Sequence, residues 1–278
     1  MANFLITTPN SLTQGTDTQD LFDLRTGAGV SIVAAGGADT ISAAATGFTA
    51  ANIQAGAGND TVTFSVSASI LDNAAILLGA GADVLTVASG ALAGTSSAGG
   101  GVDITGGGGN DSITILSGAN FAGGSSVNGN QGADTITILS GTFTDALIAG
   151  GAGADVVNAQ GIVFSSTTVN GGGGTDSLTL SGTFTGSRIE GDTLNDGLFF
   201  GNDTITIGGT FGSSLVQGGQ GNDNLIISGG FGTGASVEGG AGTDSIAVSR
   251  FVVSGGTYVG GGAGIDSITV SGALVANF

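Results

Sequence analysis

One aspartate keeps returning. It stands at Asp20, Asp39, Asp60, Asp83, Asp111, Asp134, Asp155, Asp176, Asp203, Asp223, Asp244 and Asp266, in steps of 19 to 28 residues that centre on 21. Two residues after it the side chain is always apolar, from Phe22 and Ile41 to Ile268, and four residues after it is apolar again, from Leu24 to Val270. Thr and Ser fill most places between, as in Thr135-Ile136-Thr137. Such strict alternation over five residues is a strand with one face buried. A turn rich in Ser, Gly and Phe follows. Then comes a weaker alternating piece ending on an aliphatic residue such as Val127, Ile148 or Val169, and then a glycine loop that leads to the next aspartate. A unit this short has too small an apolar face to fold alone, whereas stacked copies bury one continuous core. The pattern predicts an all-β fold, a roll-like parallel β-solenoid over residues 19–278 after a lead-in segment 1–18. Its twelve aspartates mark about twelve coils, which at ~4.8 Å per coil make a rod roughly 55–60 Å long. A β-sandwich, the main competitor, has no need of so regular a register.

The loops read GGGGND (106–111), GGAGAD (150–155), GGGGTD (171–176), GGQGND (218–223), GGAGTD (239–244) and GGAGID (261–266). With the x-aliphatic-x that follows, they match the nonapeptide G-G-x-G-x-D-x-U-x, where U is aliphatic. In this the chain resembles the RTX, or hemolysin-type calcium-binding, repeat family. The chemistry agrees: glycines reach the positive-φ conformations that turn carbonyl oxygens toward one point, and carbonyls with carboxylates make a hard oxygen cage suited to Ca²⁺. A column of aspartates about 5 Å apart is costly without a cation if partly desolvated.

The resemblance implies that each ion sits between the loops of neighbouring coils, held by loop carbonyls and aspartates. The candidate ligands are Asp39, Asp60, Asp83, Gly106, Gly108, Asp111, Asp134, Gly150, Asp155, Gly171, Gly173, Asp176, Asp203, Gly218, Asp223, Gly239, Asp244, Gly261 and Asp266, with Ala152 in the third loop position after Gly150. The coil is longer than two nonapeptides and its second turn carries no register aspartate, which implies a single calcium column along one edge. The loops before Asp39 (AAGGAD), Asp60 (AGAGND) and Asp83 (LGAGAD) depart from the motif, Asn130 replaces the second glycine before Asp134, and Asp20 has no glycine pair. An insertion precedes Asp203, where Asp196 is the substitute ligand. One ion in each of eleven gaps would turn the net charge of −18 into about +4. The alternative, plain Asp-Gly turn residues, does not account for a ladder this regular.

Composition narrows the function. With 21 acids and 3 bases, the chain is ill suited to nucleic acid or anionic membranes. No stretch of about 18 apolar residues is free of breaks, so no membrane insertion is expected. Without His or Cys there is no Ser-His or Cys-His pair and no usual zinc site. The three bases are Arg25, Arg188 and Arg250, in distant coils; the reading is not an enzyme. Phe48, Phe121, Phe143, Phe164, Phe184, Phe211 and Phe231, with Leu92 and Leu274, fall at the second turn. They either plug the end of the core or form an apolar stripe for another molecule. The outward Thr rows serve β-propensity and solubility.

The repeats leave little chain for anything else, so the solenoid itself is expected to be the product. The start MANFLITTPNSL lacks the basic region of a Sec signal peptide, and the resemblance implies bacterial type I secretion to the outside or the cell surface. The expectation is a secreted, calcium-stabilised structural protein that self-assembles into an extracellular filament or surface layer. Its partners are copies of itself and Ca²⁺, with a cell-surface polysaccharide as a further partner. The alternative is an ice-binding or adhesive module.

Overall fold

The computed structural model describes residues 1–26, 28–44, 49–65, 73–88, 101–192, 200–249, 252–253, 256–271 and 275–276. Phe48, Leu92, Asp196, Arg250 and Leu274 lie outside them. The described chain is a parallel β-solenoid of about eleven turns with no helix, and its coils stack in chain order. Each coil gives one strand to each of two long sheets. One sheet holds the strands that follow the aspartates, from Leu21–Leu24 and Thr40–Ala43 to Ser267–Val270. The other holds the strands that lead into the glycine loops, from Leu12–Gln14 to Tyr258–Gly264.

The register places like on like. Ile113 pairs with Leu85 on one side and Ile136 on the other, and Ile148 lies between Val127 and Val169. These inward side chains form one continuous core with essentially no solvent contact. A one-residue slip in any coil would turn its apolar set to solvent, which is why the alternation in sequence translates so directly into stacking.

The second sheet extends further than the sequence pattern suggests. Strands such as Leu147–Ala152 run through the first half of the glycine loop. Gly151 keeps a positive φ of 120° and still pairs with Gly172 of the next coil, because Gly172 (φ 114°) and Asn130 (φ 78°) on either side share the same unusual backbone. Only the last two residues before the aspartate make the turn.

At the opposite edge, Phe121, Phe143, Phe164, Phe184, Phe211 and Phe231 are buried. Their rings stack with centroids 4.5–5.9 Å apart. They close the end of the core and are not a surface stripe. Replacing Phe164 in mid-stack by Ala is expected to cost about 3–5 kcal/mol. In a chain of this size that lowers the melting temperature by roughly 10 °C, measurable by thermal circular dichroism, while Thr137→Ala on the outer face should change it little.

Candidate metal centre

The alternation that buries Ile136 and Ile138 also sends Asp134 inward, since residues two apart share a face. All the register aspartates from Asp20 to Asp244 are consequently buried, at most 3% exposed. They form one column along the glycine-loop edge. Each carboxylate Oδ1 accepts the backbone N–H of the register aspartate one coil earlier. Asp134 N–H donates to Asp155 Oδ1 at 2.7 Å, Asp155 N–H to Asp176 Oδ1 at 2.8 Å, and the chain of bonds runs unbroken from Asp20 to Asp266 at 2.6–3.0 Å. At the start of the rod, Ala2 N–H donates to Asp20 Oδ1.

The second carboxylate oxygen is treated differently. Oδ2 of Asp39, Asp60, Asp83, Asp111, Asp134, Asp155, Asp176, Asp203, Asp223 and Asp244 is buried with no hydrogen-bond partner. Buried acceptors are normally satisfied, and ten orphans in one row is a chemical statement about the site. Next to Oδ2 lies the fifth residue before the aspartate. At Gly106, Gly129, Gly150, Gly171, Gly218 and Gly239 a Cβ would run into both this Oδ2 and the carbonyl oxygen of the equivalent glycine one coil on; Gly191 does the same for Asp203 across the insertion. Two kinds of oxygen therefore border each of these seven cradles, with no donor assigned to the carboxylate.

Burial pushes these carboxyls up. It is the main cause throughout, opposed by the N–H bond to Oδ1 and, at all but Asp111 and Asp155, reinforced by neighbouring aspartates. Asp60, Asp83, Asp134 and Asp223 rise to about 6, and Asp176 to about 7. Asp203 rises to about 8, with Asp176, Asp192 and Asp223 adding their charges. Asp39, Asp111, Asp155 and Asp244 move the same way. Asp20 is the exception. Burial pushes it up too, but the N–H groups of Ala2 and Thr16, the Thr16 hydroxyl and the N-terminal ammonium together hold it below its ordinary value.

The expected ligands divide. Asp39 through Asp266 all lie in the column, and Gly106, Gly150, Gly171, Gly218, Gly239 and Gly261 face it. Gly108, Ala152 and Gly173 do not face the carboxylates. They lie on the strand two residues past the cradle position, and their carbonyls accept the N–H of Gly81, Gly132 and Gly153 from the preceding coil, at 2.7–2.9 Å.

Two features were not drawn from the sequence. Asp192, in register with Gly172, is buried beside the column; its Oδ2 accepts Gln220 N–H at 2.7 Å and its Oδ1 has no partner. And the Phe edge has a polar row of its own, Ser125, Thr167, Ser187 and Ser214, all buried. The three serine hydroxyls accept an N–H from the coil before, as Ser125 Oγ does from Val102, and all four hydroxyls donate to a nearby carbonyl, as Thr167 Oγ1 does to Phe143 O. The signal was a Ser or Thr two residues ahead of the aliphatic position. A hydroxyl both gives and receives and so closes its own bonds, whereas an ionised carboxylate only receives. The two edges therefore differ in kind: one is complete within the protein, the other calls for something electropositive.

No family model, curated protein or solved structure matches the chain.

Proposed function

We propose that the chain is a calcium-stabilised structural rod that works outside a bacterial cell and assembles end to end. The observation that carries this reading is the row of buried carboxylate oxygens without a donor, seven of which, from Asp111 to Asp244, border a glycine cradle that also holds a carbonyl oxygen of the next coil. A hard divalent cation is the natural partner of a site built only from carboxylate and carbonyl oxygen, and the residues present fit it. Asp Oδ2 and the glycine carbonyl of the next coil would hold the ion; the ion would supply the positive charge that lets the column stay ionised and dry. The loop motif it shares with RTX repeats supports the same choice of metal. Millimolar external calcium would fill sites of extracellular grade that the cytosol leaves empty, coupling folding to export.

Assembly draws support from the stacking itself: coil adds to coil in the same parallel register along the described chain, so coils of separate copies can continue one another's ladders. In negative-stain electron microscopy with millimolar calcium, rods about 55 Å long are expected to join into filaments as protein concentration rises. Monodisperse single rods at every concentration would overturn the assembly reading. The ice-binding alternative has less behind it, since Val84, Val156 and the Asn224/Ile226 pair interrupt the outward Thr rows.

A further inference from the structure

The column is not uniform, and the difference lies in the fifth residue before each aspartate. From Gly106 onward that place is held by glycine, for Asp203 by Gly191 on the far side of the insertion, and its missing side chain leaves the cradle between Oδ2 and the next carbonyl. In the coils of Asp39, Asp60 and Asp83 the same inward place is taken by Ala34, Ala55 and Leu78, each fully buried in the core. The register confirms the equivalence: Leu77 pairs with Thr105 and Gly79 with Gly107, which sets Leu78 beside Gly106. A methyl or isobutyl group in that place removes the space an ion would need and lines it with carbon. At the first rung Gly15 leaves room, but Asp20 Oδ2 is already claimed by the N–H and hydroxyl of Thr16, at 2.7 and 2.8 Å.

We infer that calcium occupies only the seven gaps between Asp111 and Asp266, and that the rungs of Asp20, Asp39, Asp60 and Asp83 are closed to it by Thr16, Ala34, Ala55 and Leu78. This rests on the calcium reading above and sharpens it. Seven ions would bring the formal charge from −18 to −4, so the loaded rod stays acidic, in place of the about +4 that eleven ions would give. The N-terminal third is then a metal-free block on which the metal-dependent coils stack.

Equilibrium dialysis of the full chain against calcium, with bound metal counted by mass spectrometry of the elements, tests it. The expected result is seven ions per chain. Asp39→Asn and Asp60→Asn should leave the count at seven, and Asp155→Asn should lower it by at least one. A count of ten or eleven, or loss of an ion in Asp60→Asn, would overturn the inference while leaving the calcium reading intact. No bound calcium at all would overturn the reading itself. Because the wild-type count alone separates seven from eleven, the test does not depend on any variant folding.

Discussion

Stripping calcium with a strong chelator at about pH 8 is expected to unfold the chain, with loss of its β-type circular dichroism, whereas the same treatment near pH 4 should leave it folded. The pH dependence comes from proton linkage. Six carboxyls have folded-state values of about 6 to 8, above the ordinary 3.8 that the unfolded chain would show. The folded state therefore holds protons that the unfolded state has already released. A group raised in this way favours folding fully below its unfolded value, and that advantage drains away as pH rises through the folded value. Each pKa unit corresponds to about 1.4 kcal/mol, so a carboxyl displaced by about two units already weighs against the whole stability of an ordinary domain, about 5–15 kcal/mol, and the column holds several such groups coupled to one another. The metal-free rod should thus lose stability steeply between about pH 4 and pH 8. Calcium should remove most of that slope, leaving the part due to Asp39, Asp60 and Asp83. A metal-free protein whose melting temperature is flat across this range would contradict both the burial of charge and the role given to the ion.

The second large effect concerns a glycine outside the column. Gly153 lies two residues before Asp155, has φ of +146°, and a Cβ there would overlap the carbonyl oxygen of Gly132 in the coil before. Every described coil from Asp39 on has glycine at this place, from Gly37 to Gly264. Gly153→Ala combines an unfavourable backbone, about 1–2 kcal/mol, with steric wedging of two coils, about 1–3 kcal/mol. A loss near 3–5 kcal/mol follows, seen as a drop of about 10 °C in melting temperature. Gly108→Ala is the matched control: nothing lies within 4 Å of the added methyl and the backbone is ordinary. Its effect should stay within about 0.5 kcal/mol. Equal losses for the two would mean that loop glycines matter for general flexibility and not for coil-to-coil approach.

Much of the fold could be read from residue order alone because stacking is a local rule applied repeatedly. Once Asp134 and Asp155 are set in register, Ile136 must lie under Val157 and Phe143 under Phe164, and period-two alternation decides which side each faces. The inward turn of the carboxylates follows from the same parity. What could not be read was consequence. Ala34, Ala55 and Leu78 look like mild variants of a glycine motif until the backbone shows that the position points at Oδ2. Asp192 falls outside the register, and its place beside the column depends on how the insertion before Asp203 rejoins the stack. Ser125, Thr167, Ser187 and Ser214 pass for ordinary turn residues, since their hydrogen bonds connect coils some twenty residues apart. In each case the sequence names the group but only the three-dimensional path names its neighbour.

The donor-to-acceptor direction along the column has a further effect. Each aspartate N–H points one coil onward, and all neighbouring coils run parallel, so the rod carries an arrow. Two such rods can continue each other's ladders only nose to tail. Two-fold pairing of like ends would set the edge strands antiparallel and break the one-way ladder of aspartate N–H bonds, whereas a nose-to-tail joint continues it and, being heterologous, does not close as a dimer. Any in-line growth therefore yields a polar fibre with chemically distinct tips, and length must be limited by supply or by a separate stopper.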